Sequence, residues 1–170
     1  MKINFNKFCM EHALIFTLFI TLCACSSDSD DSDEVIEDPE GTEIVDVYVN
    51  PETRVYFYRD CALHFTGTSF WYNPSYSKRI DFNNIGNVSG LGAIKKLPDR
   101  FGPGPEVVRP GCGVVARCAM EWDGRWNEQT QEWYTWKYAR IYVIDYIKSD
   151  AGEIIGVKIK YQTNWDVDKL

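Results

Sequence analysis

The sequence contains little histidine, no surplus of positive charge and no long hydrophobic run. Its 170 residues include two histidines, His12 and His64, which leaves few side chains for histidine-based acid–base catalysis. The 18 Lys and Arg residues are outnumbered by 25 Asp and Glu residues, and this balance excludes a basic nucleic-acid binder, because phosphate neutralisation needs a surplus of cations. The apolar run at residues 13–24 would span about 18 Å as a helix, too short to cross a hydrocarbon core of about 30 Å.

The acidic charge is concentrated near the start of the chain. Residues 1–25 hold two bases and one acid, whereas residues 26–43 hold nine acids and no base. The remaining 16 bases and 15 acids give residues 44–170 a formal charge of +1. A chain of this length with 45 % apolar residues builds one modest core, so we predict a single folded domain over residues 44–170.

The first 25 residues have the pattern of a secretory leader. Two lysines precede the apolar run, which ends in Leu22-Cys23-Ala24-Cys25. This ending resembles the lipobox of bacterial lipoproteins, in which a small residue directly precedes the modified cysteine. The resemblance implies a lipoprotein signal peptide over residues 1–24, cleavage before Cys25, and acyl chains on Cys25 that anchor the protein in a membrane. The alternative is an ordinary cleaved leader that ends in cysteine.

An acidic segment, Ser-Ser-Asp-Ser-Asp-Asp-Ser-Asp-Glu, occupies residues 26–34. A block of like charge without aromatic residues buries too little apolar surface to fold, which predicts a disordered acidic tether over residues 25–43. Serine and clustered acids at this position also resemble the export signal of Bacteroidetes-type surface lipoproteins. That resemblance implies an outer-membrane protein facing the outside of the cell, and the alternative is a lipid anchor facing the periplasm.

The rest of the chain alternates short apolar runs with Gly, Pro, Asn and Asp. This pattern predicts an all-β fold, an antiparallel sandwich or a barrel-like sheet. Six glycines and four prolines between residues 83 and 112 predict a long ordered loop with one or two short strands. The expected strands are residues 44–49, 53–65, 69–72, 79–82, 113–122, 133–147 and 154–162.

The clearest expected element is a hairpin formed by residues 133–147 and 154–162. Its facing residues should have numbers that sum to 300 or 302, because paired residues share one face of a sheet. That register places Tyr146 on the even face, away from Ile141 and Val143, and places Gly156 beside Tyr146 or Ile144.

Several blocks of sequence toward the end of the chain together form one pattern. They are IGNVSGLGAI from Ile85, the pair Leu97-Pro98, PGCGVVAR from Pro110, YARIYVIDY from Tyr138 and IIGVKIKYQ from Ile154. This pattern is similar to an uncharacterised domain that recurs in secreted lipoproteins of gut Bacteroidales. The family often has His and Tyr near the positions of Cys112 and Val114 or Val115, where this chain departs from it. The resemblance implies no catalytic residue.

Histidine and carboxylate chemistry has few candidates in the mature chain. A nucleophilic mechanism would have to use His64, which we expect to be an exposed or edge residue. Glu121 and Asp123 share a face but match a glycosidase pair only weakly. We therefore predict no catalytic residue and no cofactor, and a hydrolase ranks third among the interpretations.

The cysteines are better suited to a disulfide than to a metal. Cys61 and His64 lie three positions apart on a strand and so point to opposite faces, which argues against a zinc site; no metal site is predicted. Cys112 and Cys118 in one strand would be about 20 Å apart, too far for a bridge. Cys61 and Cys118 both fall on apolar faces, so a Cys61–Cys118 disulfide is the candidate, with buried free thiols as the alternative.

Aromatic residues are abundant around residues 122–138. Trp126, Trp133 and Trp136 form a candidate ligand platform, because flat aromatic rings stack on sugars. The alternative is that these rings fill the core. The favoured function is a non-enzymatic surface binding or accessory module whose partner is a glycan or another surface protein. The alternative function is a structural envelope or assembly lipoprotein without a small ligand.

Cys25→Ala removes the thiol that would carry the lipid. We expect this variant to move from the membrane fraction to the soluble fraction after cell lysis. The reason is that acyl chains on Cys25 would supply about 0.8 kcal/mol of membrane binding per buried CH₂ group, and the variant would lack them. Detergent phase partitioning measures the change, and Cys23→Ala is the matched control that should stay with the membrane. Unchanged partitioning of Cys25→Ala would refute lipidation.

Overall fold

The computed structural model describes residues 36–50, 52–75, 77–127 and 132–166, and for residues 121–127 and 132–134 it describes the backbone alone. The signal peptide, Cys25 and the acidic run at 26–34 lie outside the described residues. Within those ranges no helix has the length and apolar character needed to cross a membrane.

The described chain is built from nine strands and one 3-10 turn, Leu91–Ala93, and contains no α-helix. It therefore confirms the all-β prediction. The strands are β1 Glu43–Tyr48, β2 Val55–Tyr58, β3 Cys61–Phe65, β4 Ser69–Trp71, β5 Ile80–Asn87, β6 Glu106–Val107, β7 Cys112–Asn127, β8 Glu132–Lys148 and β9 Ile154–Gln162.

The strands form two antiparallel sheets, with the orders β1-β9-β8-β7-β5 and β2-β3-β4-β6. Their apolar faces pack together into one core, as expected for a sandwich. The sheets stay separate, so the sandwich is confirmed over the barrel-like alternative. The core includes Val47, Leu63, Phe65, Phe70, Ile80, Phe82, Val114, Ile141, Val143, Val157 and Ile159.

The β8–β9 hairpin follows the expected register only in its first half. From Arg140↔Gln162 to Val143↔Ile159 the paired numbers sum to 302, and beyond Val143 a bulge shifts the pairing by one residue. A shift of one residue reverses which face each side chain occupies. The even-face assignment of Tyr146 is therefore wrong: its ring packs against the core, and its hydroxyl donates to the Val108 carbonyl at 2.6 Å.

The same bulge changes the neighbours of Gly156. This glycine lies opposite Tyr48 on β1 and Ile147 on β8, not beside Tyr146 or Ile144. A Cβ added to Gly156 would lie 2.9 Å from the carbonyl oxygen of Val47 and 3.1 Å from the Tyr48 ring. The glycine thus allows the β1 strand and the Tyr48 ring to approach closely.

The outer face of the five-stranded sheet is covered by a second, smaller cluster. Leu91 and Ile94 of the Gly/Pro-rich loop pack there against Val115 and Trp165. Arg140 fixes the loop, because its Nη1 atom donates to the carbonyl of Ile94 at 2.7 Å. The long loop is therefore ordered, as expected, and it covers part of the outer face of the five-stranded sheet.

Strands β7 and β8 extend beyond their neighbours. β5 pairs with β7 only as far as Cys118, and β9 pairs with β8 only from Arg140 onward. Residues 119–127 and 132–136 consequently pair only with each other among the described strands. We call this two-stranded extension the ribbon; three of the expected aromatic residues, Trp126, Trp133 and Trp136, belong to it.

The folded body begins before β1. Lys160 Nζ donates to Asp38 Oδ2 at 2.6 Å, and Gln162 Nε2 donates to the carbonyl of Glu40 at 2.7 Å. Residues 36–42, which the sequence assigned to the disordered tether, are thus attached to β9. The attachment also involves the 3-10 turn, since a Cβ at Gly92 would lie 2.5 Å from the carbonyl oxygen of Glu37.

Gly92→Ala should detach this segment without disrupting the core. The new methyl group would collide with the backbone of Glu37, and the segment can move away more easily than the turn. We expect glutamyl endopeptidase to cut after Glu37 or Glu40 about fivefold faster, the factor that corresponds to a loss of roughly 1 kcal/mol. Gly90→Ala is the matched control, because nothing lies within 4 Å of its added Cβ; equal cleavage of both variants would contradict the attachment.

Candidate functional site: the stacked cluster

Three neighbouring strands place polar and aromatic side chains on the outer face of the five-stranded sheet. Asp81 on β5 pairs with Arg117 on β7, and Arg117 pairs with Tyr138 on β8. Trp136 lies two residues before Tyr138 and therefore shares its face. The ladder thus brings an acid, a base and an indole ring together at the base of the ribbon.

Asp81 is the centre of this arrangement. Its side chain is 0 % exposed, and it accepts hydrogen bonds from two guanidinium groups. Arg79 binds it through Nε at 2.7 Å and Nη2 at 3.0 Å, and Arg117 binds it through Nε at 3.0 Å. A buried carboxylate needs such charged donors, because water no longer solvates it.

The two arginines also contact aromatic rings. The Cζ atom of Arg117 lies 4.1 Å from the Trp136 ring centroid and 4.9 Å from that of Phe101. The Cζ atom of Arg79 lies 5.8 Å from the Trp136 centroid. These are cation–π distances, each worth about 0.5–2 kcal/mol. We call Arg79, Asp81, Phe101, Arg117 and Trp136 the stacked cluster.

The cluster offers solvent a cation beside an aromatic ring. The side chain of Arg79 is 41 % exposed, whereas that of Arg117 is 17 % exposed. The two arginines and one aspartate leave the cluster with a formal charge of +1. Its accessible chemistry is therefore a guanidinium, held in place by Asp81, next to a partly buried indole.

The expected platform of Trp126, Trp133 and Trp136 is only partly within the described residues. The side chains of Trp126 and Trp133 lie outside them, so their placement stays a prediction. Trp136 is described, and its ring is not an open surface, because Arg117 stacks on it. Arg79, Asp81, Phe101 and Arg117 were not predicted from the sequence as site residues. The alternation of Arg79 and Asp81, which puts both on one face of a strand, was the signal that could have found two of them.

Cys61 and Cys118 meet in the core, as their apolar faces suggested. Both are buried and both are free thiols in this structure, as is Cys112. The hydrogen bond with Cys61, together with burial, raises the pKa of the Cys118 thiol well above its usual value. The expected Cys61–Cys118 disulfide stays a prediction that the proximity of the two side chains favours.

His64 differs from the sequence expectation. It is 5 % exposed rather than a surface residue, and its ring lies 6.0 Å from that of Trp71. Burial, and secondarily Arg54, lowers its pKa, so the imidazole is held neutral.

No cluster of three or more His, Cys, Asp or Glu side chains that could hold a metal occurs in the part of the chain that is described. The side chains of Glu121 and Asp123 lie outside that part.

Comparison with known proteins finds no matching family model, no matching curated protein and no matching solved structure. The resemblances of the lipobox-like ending, the acidic run and the sequence blocks therefore remain expectations.

Asp81→Asn tests whether the stacked cluster is held by its buried carboxylate. Removing the charge leaves two guanidinium groups without their anion, and we expect the free energy of unfolding to fall by about 3 kcal/mol. Urea unfolding measures the loss. The control is Asp60→Asn, whose exposed side chain lies 3.5 Å from Lys78 and should change stability by less than about 1 kcal/mol. Equal effects of the two substitutions would contradict the central role of Asp81.

Proposed function

We propose that this protein is a non-enzymatic binding module that acylated Cys25 fastens to the outer face of the outer membrane. The lipobox-like ending and the acidic run support the location. One observation carries the binding role: the Arg79 guanidinium lies beside Trp136 at the base of the ribbon, and buried Asp81 holds it there. We propose that the partner is a glycan. The alternative partner, which the experiment must distinguish from a glycan, is another surface protein.

The stacked cluster has the residue types and the fixed side-chain orientation expected of a recognition surface. Arginine and tryptophan are the residues that contribute most often to binding energy at interfaces. Two hydrogen bonds to Asp81 orient Arg79 before any partner arrives, which reduces the entropy lost on binding. The exposed part of the Arg79 side chain and the half-buried Trp136 suit a sugar, because sugar hydroxyl groups accept hydrogen bonds and sugar C–H groups pack on aromatic rings.

A second candidate is a structural component of the envelope with no small ligand. It is favoured by the contact between Arg117 and Trp136, because a ring that is already covered by a cation offers less surface to a sugar. In that case the stacked cluster braces the ribbon against β5 and the Phe101 loop. The two candidates make different predictions about soluble polysaccharides.

A titration with a panel of neutral and acidic polysaccharides separates the candidates. If the cluster binds glycan, intrinsic tryptophan fluorescence should shift with at least one polysaccharide, because Trp136 is part of the contact surface. Arg79→Gln should weaken that binding about tenfold, which corresponds to 1.4 kcal/mol.

The matched control is Lys78→Gln, since Lys78 is adjacent in sequence and similarly exposed but lies outside the cluster. No shift across the whole panel would favour the structural candidate. A shift that survives Arg79→Gln would show that glycan binds elsewhere.

A further inference from the structure

A small polar cleft lies on the same sandwich, away from the stacked cluster. It is formed where β5 ends, β6 runs and β7 begins, and its volume is about 340 Å³. Ligand pockets usually measure about 300–1,000 Å³, so this cleft fits one ring better than an extended chain. Its walls include Asn84, Gly86, Asn87, Glu106, Val107 and Arg109.

The cleft is shaped by a β-bulge at Gly86. The pairing of β5 with β7 shifts between Asn84 and Gly86, and Gly86 has a φ angle of 86°, a conformation that favours glycine. Asn84 fixes the bulge, because its Oδ1 atom accepts from the Gly86 N–H at 2.9 Å and its Nδ2 atom donates to the Val107 carbonyl at 2.7 Å. Bulges of this kind occur often beside binding sites, where they redirect side chains.

Two of the polar side chains at the cleft are not engaged elsewhere. Asn87 and Arg109 are exposed, and neither side chain makes a hydrogen bond or an ion pair with any residue that the structure describes. Glu106 is half-buried; burial raises the pKa of its carboxyl group, and the backbone of Asn84 partly opposes that effect. A carboxyl, a carboxamide and a guanidinium therefore line one small space.

The charges at the cleft balance. Glu106 and Arg109 carry opposite charges, and no ion pair joins them in the described chain. The Glu106 carboxyl group interacts with the backbone of Asn84 and keeps capacity for further hydrogen bonds. A balanced site disfavours a strongly anionic or cationic ligand, because either would face a like charge. Val107 is 54 % exposed and adds an apolar surface at the wall.

We propose that this cleft binds one neutral sugar ring. Glu106 accepts hydrogen bonds from vicinal hydroxyl groups, Arg109 donates to hydroxyl oxygens, and the Asn87 carboxamide can do both. Val107 packs against the C–H face of the ring. The site does not depend on the stacked cluster, and it gives the module a second point of contact with a glycan.

Saturation-transfer NMR on the full lipidated chain tests the proposal. The protein is held in dodecylphosphocholine micelles, which carry no sugar, and the probes are the methyl glycosides of glucose, galactose, mannose and N-acetylglucosamine. We expect saturation transfer to at least one probe. Glu106→Gln and Arg109→Gln should each weaken its binding about tenfold, whereas Lys95→Ala, a surface change outside the cleft, should not.

Three results would overturn the proposal. The first is that no probe shows saturation transfer at 20 mM, a concentration that as a dissociation constant corresponds to roughly 2 kcal/mol of binding free energy. The second is saturation transfer that persists in both cleft variants. The third is displacement of the probe by millimolar glycine, which would identify a site for zwitterions. The experiment is independent of the polysaccharide titration, because no tryptophan among the described side chains lines the cleft and the NMR signals come from the sugar.

Discussion

The middle of the five-stranded sheet is buried on both faces, and the other features of the molecule follow from that constraint. Val114 and Ala116 of β7 face the four-stranded sheet, while Val115 between them faces the opposite side. One sheet cannot cover both faces, so the Gly/Pro-rich loop and Trp165 cover the second. The loop is therefore a structural layer of the sandwich, and its glycines allow the close approach that the layer needs.

Arginine side chains form hydrogen bonds with the polar groups that lie under this second layer. Arg140 donates to the loop at Ile94 and to Gln162 on β9, and its guanidinium lies 5.2 Å from the Trp165 ring centroid. Farther along the same face Arg117 makes the equivalent contacts with Asp81 and Trp136. The outer face thus changes from apolar packing near Val115 to arginine–aromatic stacking near the ribbon. This transition places the partly exposed Arg79 and the half-buried Trp136 at the base of the ribbon.

The sequence predicted the parts of the fold that depend on local pattern. Strand β9 was placed at residues 154–162 because its alternation is regular, and the hairpin register held until the bulge after Val143. A bulge adds a residue without changing the composition, so alternation alone does not locate it. Residues 53–65 were expected as one strand but form β2 and β3, with the turn at Arg59 and Asp60.

The candidate sites were harder to predict because they depend on pairing between strands that are distant in the sequence. Asp81 on β5 and Arg117 on β7, for example, are 36 residues apart in the chain but joined by a hydrogen bond.

The attachment of residues 36–42 has a mechanical consequence for any protein held by its amino-terminal end. A pull that reaches Ile36 first loads the Asp38–Lys160 ion pair and the hydrogen bond to Glu40, both of which are exposed and can break one at a time. Only afterwards does tension reach the six paired residues that join β1 to β9. We therefore expect tension on this end to detach residues 36–42 before it separates β1 from β9.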